Sequence, residues 1–356
     1  MDIKRIHKIL SGGILTLPAF IVLAFFARIF AGTTFREYIP WIVFIIQIGI
    51  AILLIRISYE YQIIKKRTSL PATFFILFTA SNPVLYNNLE GSISAFIMVL
   101  CLVIFFKNYQ DPQSQVSSFN IASILTIGGI FCWQPLLFFI PLFWIGFKWF
   151  KAFNARSFFA SLLGILTVYL FLFAWSVYSK NSNCFWERLP QFKEVVSVEW
   201  VKLQWYNWVV VAYLIFLLLF SVISIFVLGS FEKIRTTLSI KFLFLLAAVS
   251  FVLACFFDST VNDIQAIIYF PIASISGFYF AMNNSNKLIT YLLIFTFLFF
   301  ITSYIFRLGM FDFLDFTYVH TQTHSIAQFE HQQMFRIFNL SKNLDNIFLP
   351  DNFRKL

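Results

Sequence analysis

SFNIASILTIGGIFCWQPLLFFIPLFWIGFKWFK, residues 118–151, is the stretch on which the fold turns. It holds two apolar runs, Phe119–Trp133 and Leu136–Trp149, separated by Gln134 and Pro135 alone. As a helix, each run of about 15 residues reaches roughly 22 Å, short of the ~30 Å hydrocarbon layer of a bilayer. Proline has no amide proton with which to continue a helix, so the chain is expected to turn there. The product is a hairpin whose tip, Trp133-Gln134-Pro135, sits in or near the far face of the membrane. Backbone broken at that depth must pack against protein or line a wet cavity, so a cavity near Gln134 is expected.

The whole chain agrees with a membrane setting. Of its 356 residues 60% are hydrophobic and 12% charged, and the mean hydropathy is +0.82. A soluble domain cannot hide that much apolar surface, and the apolar runs are continuous rather than alternating, which argues against a transmembrane barrel. The fold class is therefore all-α, a polytopic helical membrane protein. The 51 phenylalanines need no special role, because Phe serves towards lipid as Leu and Ile do.

A net charge of +10 would suggest nucleic acid in a soluble protein. Here the basic residues fall in Lys4-Arg5-Lys8, Lys65-Lys66-Arg67, Lys148/Lys151/Arg156 and Lys233/Arg235/Lys241, each in a short loop between apolar runs. These loops alternate with others poor in Lys and Arg, the positive-inside pattern of an inner membrane protein with a cytoplasmic N-terminus. Membrane lipids, not nucleic acid, are the implied partners. Cys101, Cys132, Cys184 and Cys255 show no paired spacing, so neither a disulfide framework nor a zinc pattern can be read. The basic N-terminal head lacks a small-residue cleavage site, so the first apolar run is expected to be retained.

In chain order the expected spans are about 13–30, 39–57, from Leu70-Pro71 to Asn82-Pro83, 93–106, the two arms of the hairpin, 158–178, 206–229, 242–257, 264–282 and 288–306. That makes about 11 crossings in a transmembrane domain of residues 1–306, followed by a polar tail, 307–356. The side on which the tail lies depends on the hairpin counting as two crossings. In the long loop 179–205, Trp186, Leu189, Phe192, Val196, Trp200 and Leu203 recur every three or four residues, the spacing of an amphipathic helix lying at the interface. In the tail, His320 and His324 would share a helical face, but no third ligand stands at convincing spacing, so no metal site is assigned.

Signs of chemistry are few. There is no glycine loop for phosphate, no nucleophile elbow and no H-E-x-x-H, so no cofactor is called for. The span centres hold almost no ionisable residues, which argues against an ion-coupled carrier. Gln47 is the clearest mid-span polar residue, suited to an interhelical hydrogen bond. Polar residues gather instead towards the outer face: Arg28 near the end of the first span, Arg36 and Glu37 in the first outer loop, then Asn82, Asn87, Asn88 and Glu90, then Gln134. Packed together these would ring one cavity, in which a carboxylate can act as general base and an arginine can hold a phosphate. The structural alternative is a set of loop residues facing water.

The run from Leu70 to Phe173 carries a resemblance. It contains LPATFFILFTASNPVLYNNLEGSISAFIMVLCLVIFF, a polar linker, then FNIASILTIGGIFCWQPLLFFIPLFWIGFKWFKAFNARSFFASLLGILTVYLFLF. It resembles a polytopic inner-membrane family of Bacteroidota and, more distantly, the core of the C-type membrane glycosyltransferases. The latter resemblance implies transfer of a sugar from a polyprenyl-phosphate donor at the periplasmic face, with an acidic catalytic residue in the first outer loop. In those enzymes that loop is long; here it is GTTFREY, with Glu37 its sole acid. The resemblance thus implies Glu37 as base, Arg28 and Arg36 as phosphate ligands, and Asn87, Asn88 and Gln134 as sugar-orienting groups, with Asn82 and Glu90 in the same cavity. The alternatives are a non-catalytic scaffold for envelope assembly, and a lipid or solute transporter.

Overall fold

The computed structural model describes residues 16–33, 37–60, 68–111, 113–179, 205–227, 234–256, 261–282 and 287–308. Among them there is no strand. Eleven α-helices follow one another among these described residues: α1 Thr16–Phe30, α2 Tyr38–Glu60, α3 Leu70–Ala80, α4 Leu89–Lys107, α5 Gln115–Phe131, α6 Phe139–Trp149, α7 Ala155–Tyr178, α8 Trp205–Val227, α9 Ile234–Phe256, α10 Val261–Met282 and α11 Lys287–Arg307. Seven of these, α2, α4 and α7 to α11, are long and apolar enough to cross a membrane. The chain is a multi-pass helical membrane protein. The interfacial helix expected within 179–205, the tail from 309 with its histidines, and Arg36 lie outside the described residues.

The chain divides into two units, Met1–Val168 with Pro190–Leu308, and Tyr169–Leu189 with Gly309–Leu356. Of the second, only the final turns of α7 and Ser179 are described. The first is organised around α10 and α3. Some 89% of the spanning window of α10 is buried, against 17% for α7, so α10 faces protein where α7 faces lipid. Every residue of α3 is buried, and α10 packs on α3, α4, α8 and α9. Gly277 permits this contact, since a Cβ there would fall 2.6 Å from the Pro71 nitrogen.

Prolines set the breaks. Leu70-Pro71 opens α3 with proline at a first-turn position, where its missing amide costs no helical hydrogen bond. The helix ends at Ala80 because Asn82 precedes Pro83 and is driven into extended backbone, φ −119° and ψ 95°. A 3-10 turn, Pro83–Tyr86, follows. Asn88 then caps α4, its Oδ1 accepting from the Gly91 amide at 2.8 Å. This cap starts α4 four residues before the apolar run that hydropathy detects.

The bend in the opening stretch is present. α5 stops at Phe131, Trp133 turns extended at φ −143° and ψ 107°, and a 3-10 turn, Gln134–Phe138, leads into α6. In an unbroken helix Pro135 would have to donate to the Phe131 carbonyl, and it has no proton to give. The turn folds back onto the last turn of α5. There the bare Cα atoms of Gly128 and Gly129 make room, since a Cβ on them would lie 2.9 Å from Leu136 Cδ1 and 3.0 Å from Leu137 Cγ.

Candidate functional site

The connections at the Asn82 end of the bundle bring together polar side chains from seven elements. The deepest is Arg28 of α1, which is 0% exposed. Its Nη2 donates to Gln47 Oε1 of α2 at 2.6 Å, and its Nη1 to the Ala24 carbonyl at 3.3 Å. The guanidinium lies 4.4 Å from the ring centroids of both Phe44 and Tyr86, a two-sided cation–π contact. Gln47 therefore makes an interhelical hydrogen bond, and its partner is the arginine that hydropathy places near a helix end. No carboxylate among the described residues accompanies Arg28, whose Nε has no partner among them.

Around Arg28 the network continues through backbone carbonyls. Tyr86 donates to the Ala80 carbonyl at 2.5 Å, and Tyr304 of α11 donates to the Ala27 carbonyl. Arg307, one turn beyond Tyr304, gives Nη1 to the Ser81 carbonyl at 3.0 Å and Nη2 to Asn207 Oδ1 of α8 at 2.8 Å. Both arginines are close enough for their charge to be felt at the Tyr86 hydroxyl. Burial in the turn nevertheless pushes the Tyr86 phenol well up from its ordinary value, so it stays neutral.

Beside Arg307, Asn82 is buried and gives its amide to Gln265 Oε1 at 2.5 Å and to Tyr269 Oη at 3.4 Å, tying α3 to α10. Two residues before Gln265 on α10 stands Asp263, also buried. Its backbone meets α4 at Gly91, where a Cβ would fall 2.7 Å from Asp263 Cα and 2.8 Å from Asn88 Nδ2. Asn88 Nδ2, Ser92 Oγ and Trp133 Nε1 are buried with no hydrogen-bond partner among the described residues.

The residues singled out from sequence thus divide. Arg28, Asn82 and Asn88 are buried in this network. Glu90 is half-buried in the first turn of α4, near enough to the bend for its charge to be felt at Cys132. Glu37, Asn87 and Gln134 are exposed. Glu37 precedes Gln47 by ten residues along α2, so it stands roughly 15 Å up the helix axis from the Arg28 contact. Sequence inspection missed Asp263, Gln265, Tyr86, Arg307 and Asn207. Asp263 and Gln265 carried a faint signal, as polar residues at the head of an apolar run.

A small cavity of about 20 Å³ lies at the other end of the bundle, among Leu54, Ser58, Leu102, Phe106, Leu243 and Phe278. Its serines bond their own helices, Ser58 to the Leu54 carbonyl and Ser274 to the Phe270 carbonyl. An apolar void of this size holds no more than about one water and no lipid chain.

Comparison with protein-family models, with curated proteins and with solved structures finds no match to this chain. What the site defines is a class: a multi-pass helical membrane protein with buried ionisable groups gathered at one end of its bundle.

Proposed function

We propose that the protein handles a polyprenyl-phosphate-linked or other lipid-linked sugar at the periplasmic face of the inner membrane, by glycosyltransferase-like chemistry. The observation that carries this reading is Arg28, a fully buried cation with no carboxylate beside it among the described residues. A fully buried charge is costly, and its presence argues for a function that needs it. An arginine fork suits a phosphate oxygen, and Arg307 adds a second positive charge on the same side of the Asn82 turn.

In the reaction an acceptor hydroxyl oxygen attacks the anomeric carbon of the donor sugar. The bond from that carbon to the phosphate oxygen breaks, polyprenyl phosphate leaves, and the acceptor proton passes to a carboxylate. Glu37, in the first loop, is the proposed base. Arg28 and Arg36 hold the phosphate, and Asn87, Asn88 and Gln134 orient the sugar. The test is transfer of labelled sugar from a polyprenyl donor in proteoliposomes; equal turnover by Glu37→Gln removes Glu37 from that role.

A second reading, a non-catalytic scaffold for envelope assembly, is favoured by one observation. Asn82 and Arg307 spend hydrogen bonds on joining helices to each other. It requires stable co-purification with partner proteins and tolerance of substitution at both Glu37 and Glu90.

A further inference from the structure

The turns at the Lys107 end carry a second group of charges, which the proposed chemistry leaves unused. α4 and α7 are each long and apolar enough to cross a membrane. The turn after α4 meets the turn before α7, where the Gln110 amide donates to the Phe150 carbonyl at 3.1 Å. Both spans therefore leave the bilayer on one face, and these turns stand at the height of its headgroups. Residues 107–111 and 148–156 hold Lys107, Lys148, Lys151 and Arg156 against one acid, Asp111. The Asp111 carboxylate accepts from the Gln113 amide at 2.9 Å. All four cations are exposed, and none has an ion-pair or hydrogen-bond partner for its side chain among the described residues.

Two of the four sit where their helices favour them. Lys107 and Lys148 lie in the last turns of α4 and α6, at the negative end of each helix dipole. The other two sit where local rules are against them. Arg156 is in the first turn of α7, where the dipole disfavours a cation. Lys151 follows the cap of α6, and the Ala152 amide beyond it donates to the Phe147 carbonyl at 2.9 Å. In such a closure the residue after the cap is left-handed and usually glycine. Lys151 takes that backbone with a side chain attached, at φ 55°. Helix formation accounts for Lys107 and Lys148, but not for Lys151 or Arg156.

The residues between and beyond these cations indicate what the charges meet. Trp149 and Phe153 are 36% and 37% exposed, large rings beside cations at the end of a span, as in a headgroup-level anchor. The exposed face of α7 that follows, with Phe159, Leu163 and Leu166, is apolar and suits acyl chains. At this height the anion that the bilayer itself supplies is a lipid phosphodiester.

We propose that the α6–α7 turn, with Lys107 beside it, is a binding site for an anionic phospholipid of the surrounding bilayer. Lys107, Lys148, Lys151 and Arg156 hold the phosphate, Trp149 and Phe153 seat the glycerol region, and the chains lie along α7. A zwitterionic lipid brings its own cation to the phosphate and is held less tightly. The site is independent of the sugar-transfer reading.

The test titrates the full chain in neutral detergent, at low salt, with phosphatidylglycerol, with phosphatidylcholine of the same chains, and with the free glycerophosphoglycerol headgroup. Bound lipid is counted by native mass spectrometry. Wild type is expected to bind phosphatidylglycerol at least about tenfold tighter than phosphatidylcholine, a margin that shrinks as salt is raised. Lys148→Gln/Lys151→Gln should weaken phosphatidylglycerol about 25-fold, at about fivefold per cation, and leave phosphatidylcholine within about twofold. Arg56→Gln/Lys287→Gln removes the same charge from the same end of the bundle but outside the turn, and should change phosphatidylglycerol by no more than about twofold. Lys151→Gly should lower phosphatidylglycerol affinity about fivefold without lowering the melting temperature, because glycine takes the left-handed backbone freely. Equal losses from the two double variants, or equal affinity of wild type for both lipids, overturn the site in favour of diffuse attraction. Binding of the free headgroup as tight as that of the lipid overturns the lipid as its occupant.

Discussion

The two ends of the helical bundle satisfy their polar groups in opposite ways. At the Lys107 end most of the contacts are made by short side chains to backbone carbonyls. Ser114 donates to the Ala152 carbonyl at 2.5 Å, Ser118 to the Ser157 carbonyl at 2.8 Å, and Asn108 to the Ile104 carbonyl at 2.5 Å. Its lysines stay outside, Lys107, Lys148 and Lys151 being exposed, and its half-buried arginine, Arg235, gives Nη2 to the Phe106 carbonyl at 2.7 Å. Beneath them Phe105 is ringed by Phe143, Phe147, Phe150 and Phe242, with centroids 4.3–5.6 Å away. At the Asn82 end an arginine and an aspartate are buried, amides bridge helices far apart in sequence, and several donors are unmatched. The first end is built for closure. The second tolerates cost that packing alone does not repay, and a site is where such cost is expected.

The largest effect should come from making the second end resemble the first. In Arg28→Met/Gln47→Leu, a buried ion and its amide give way to apolar groups of similar volume. Such replacement is expected to raise unfolding stability in detergent by about 1–4 kcal/mol, while sugar transfer falls by roughly 10²–10³-fold. A fall in melting temperature would mean that Arg28 is there to hold α1 to α2. Next come two glycines at opposite ends of α10's contacts. Gly91→Ala drives a Cβ into the Asp263 backbone and Gly277→Ala drives one into Pro71, each costing about 1–3 kcal/mol by thermal unfolding. Only Gly91→Ala, at the Asn82 end, should also lower sugar transfer; equal effects from both would erase the distinction between the ends.

A smaller contrast pairs Asn82→Ala with Ser114→Ala. The first strands Gln265 and Tyr269 and should cost about 1–3 kcal/mol, the second about 1 kcal/mol, both read from denaturation midpoints. The smallest concerns Arg56 and Glu60, an ion pair at 3.0 Å whose side chains are 61% and 45% exposed. Glu60→Gln should change stability by no more than about 0.5 kcal/mol, and a larger shift in melting temperature would show that exposure misjudges this end.

Much of the fold was legible because the signals are local. Hydropathy located each helix, although some of their starts differ from the apolar runs. Asn88 opens α4 ahead of its apolar run, and α9 begins at Ile234, eight residues before the expected 242. The proline at 135 announced the bend, and Gly128-Gly129 beside it confirm how the turn packs. The candidate site was legible only in part. Asn82 and Asn88 stood out as polar residues between two spans, whereas Asp263 read as the edge of a helix, since nothing local distinguishes a buried first-turn acid from an exposed one.

By itself the sequence determined that the chain is a membrane-embedded helical bundle and where its helices break. Those outcomes depend on transfer of side chains to lipid and on backbone hydrogen bonds, both properties of contiguous residues. The tertiary structure decided which polar groups meet. Asn82 finds Gln265 across 183 positions and Arg28 finds Gln47 across a loop. Helix packing selects these partners, through small residues such as Gly91 and Gly277 that let two backbones touch, and that selection is encoded in pairs of helices rather than in either one.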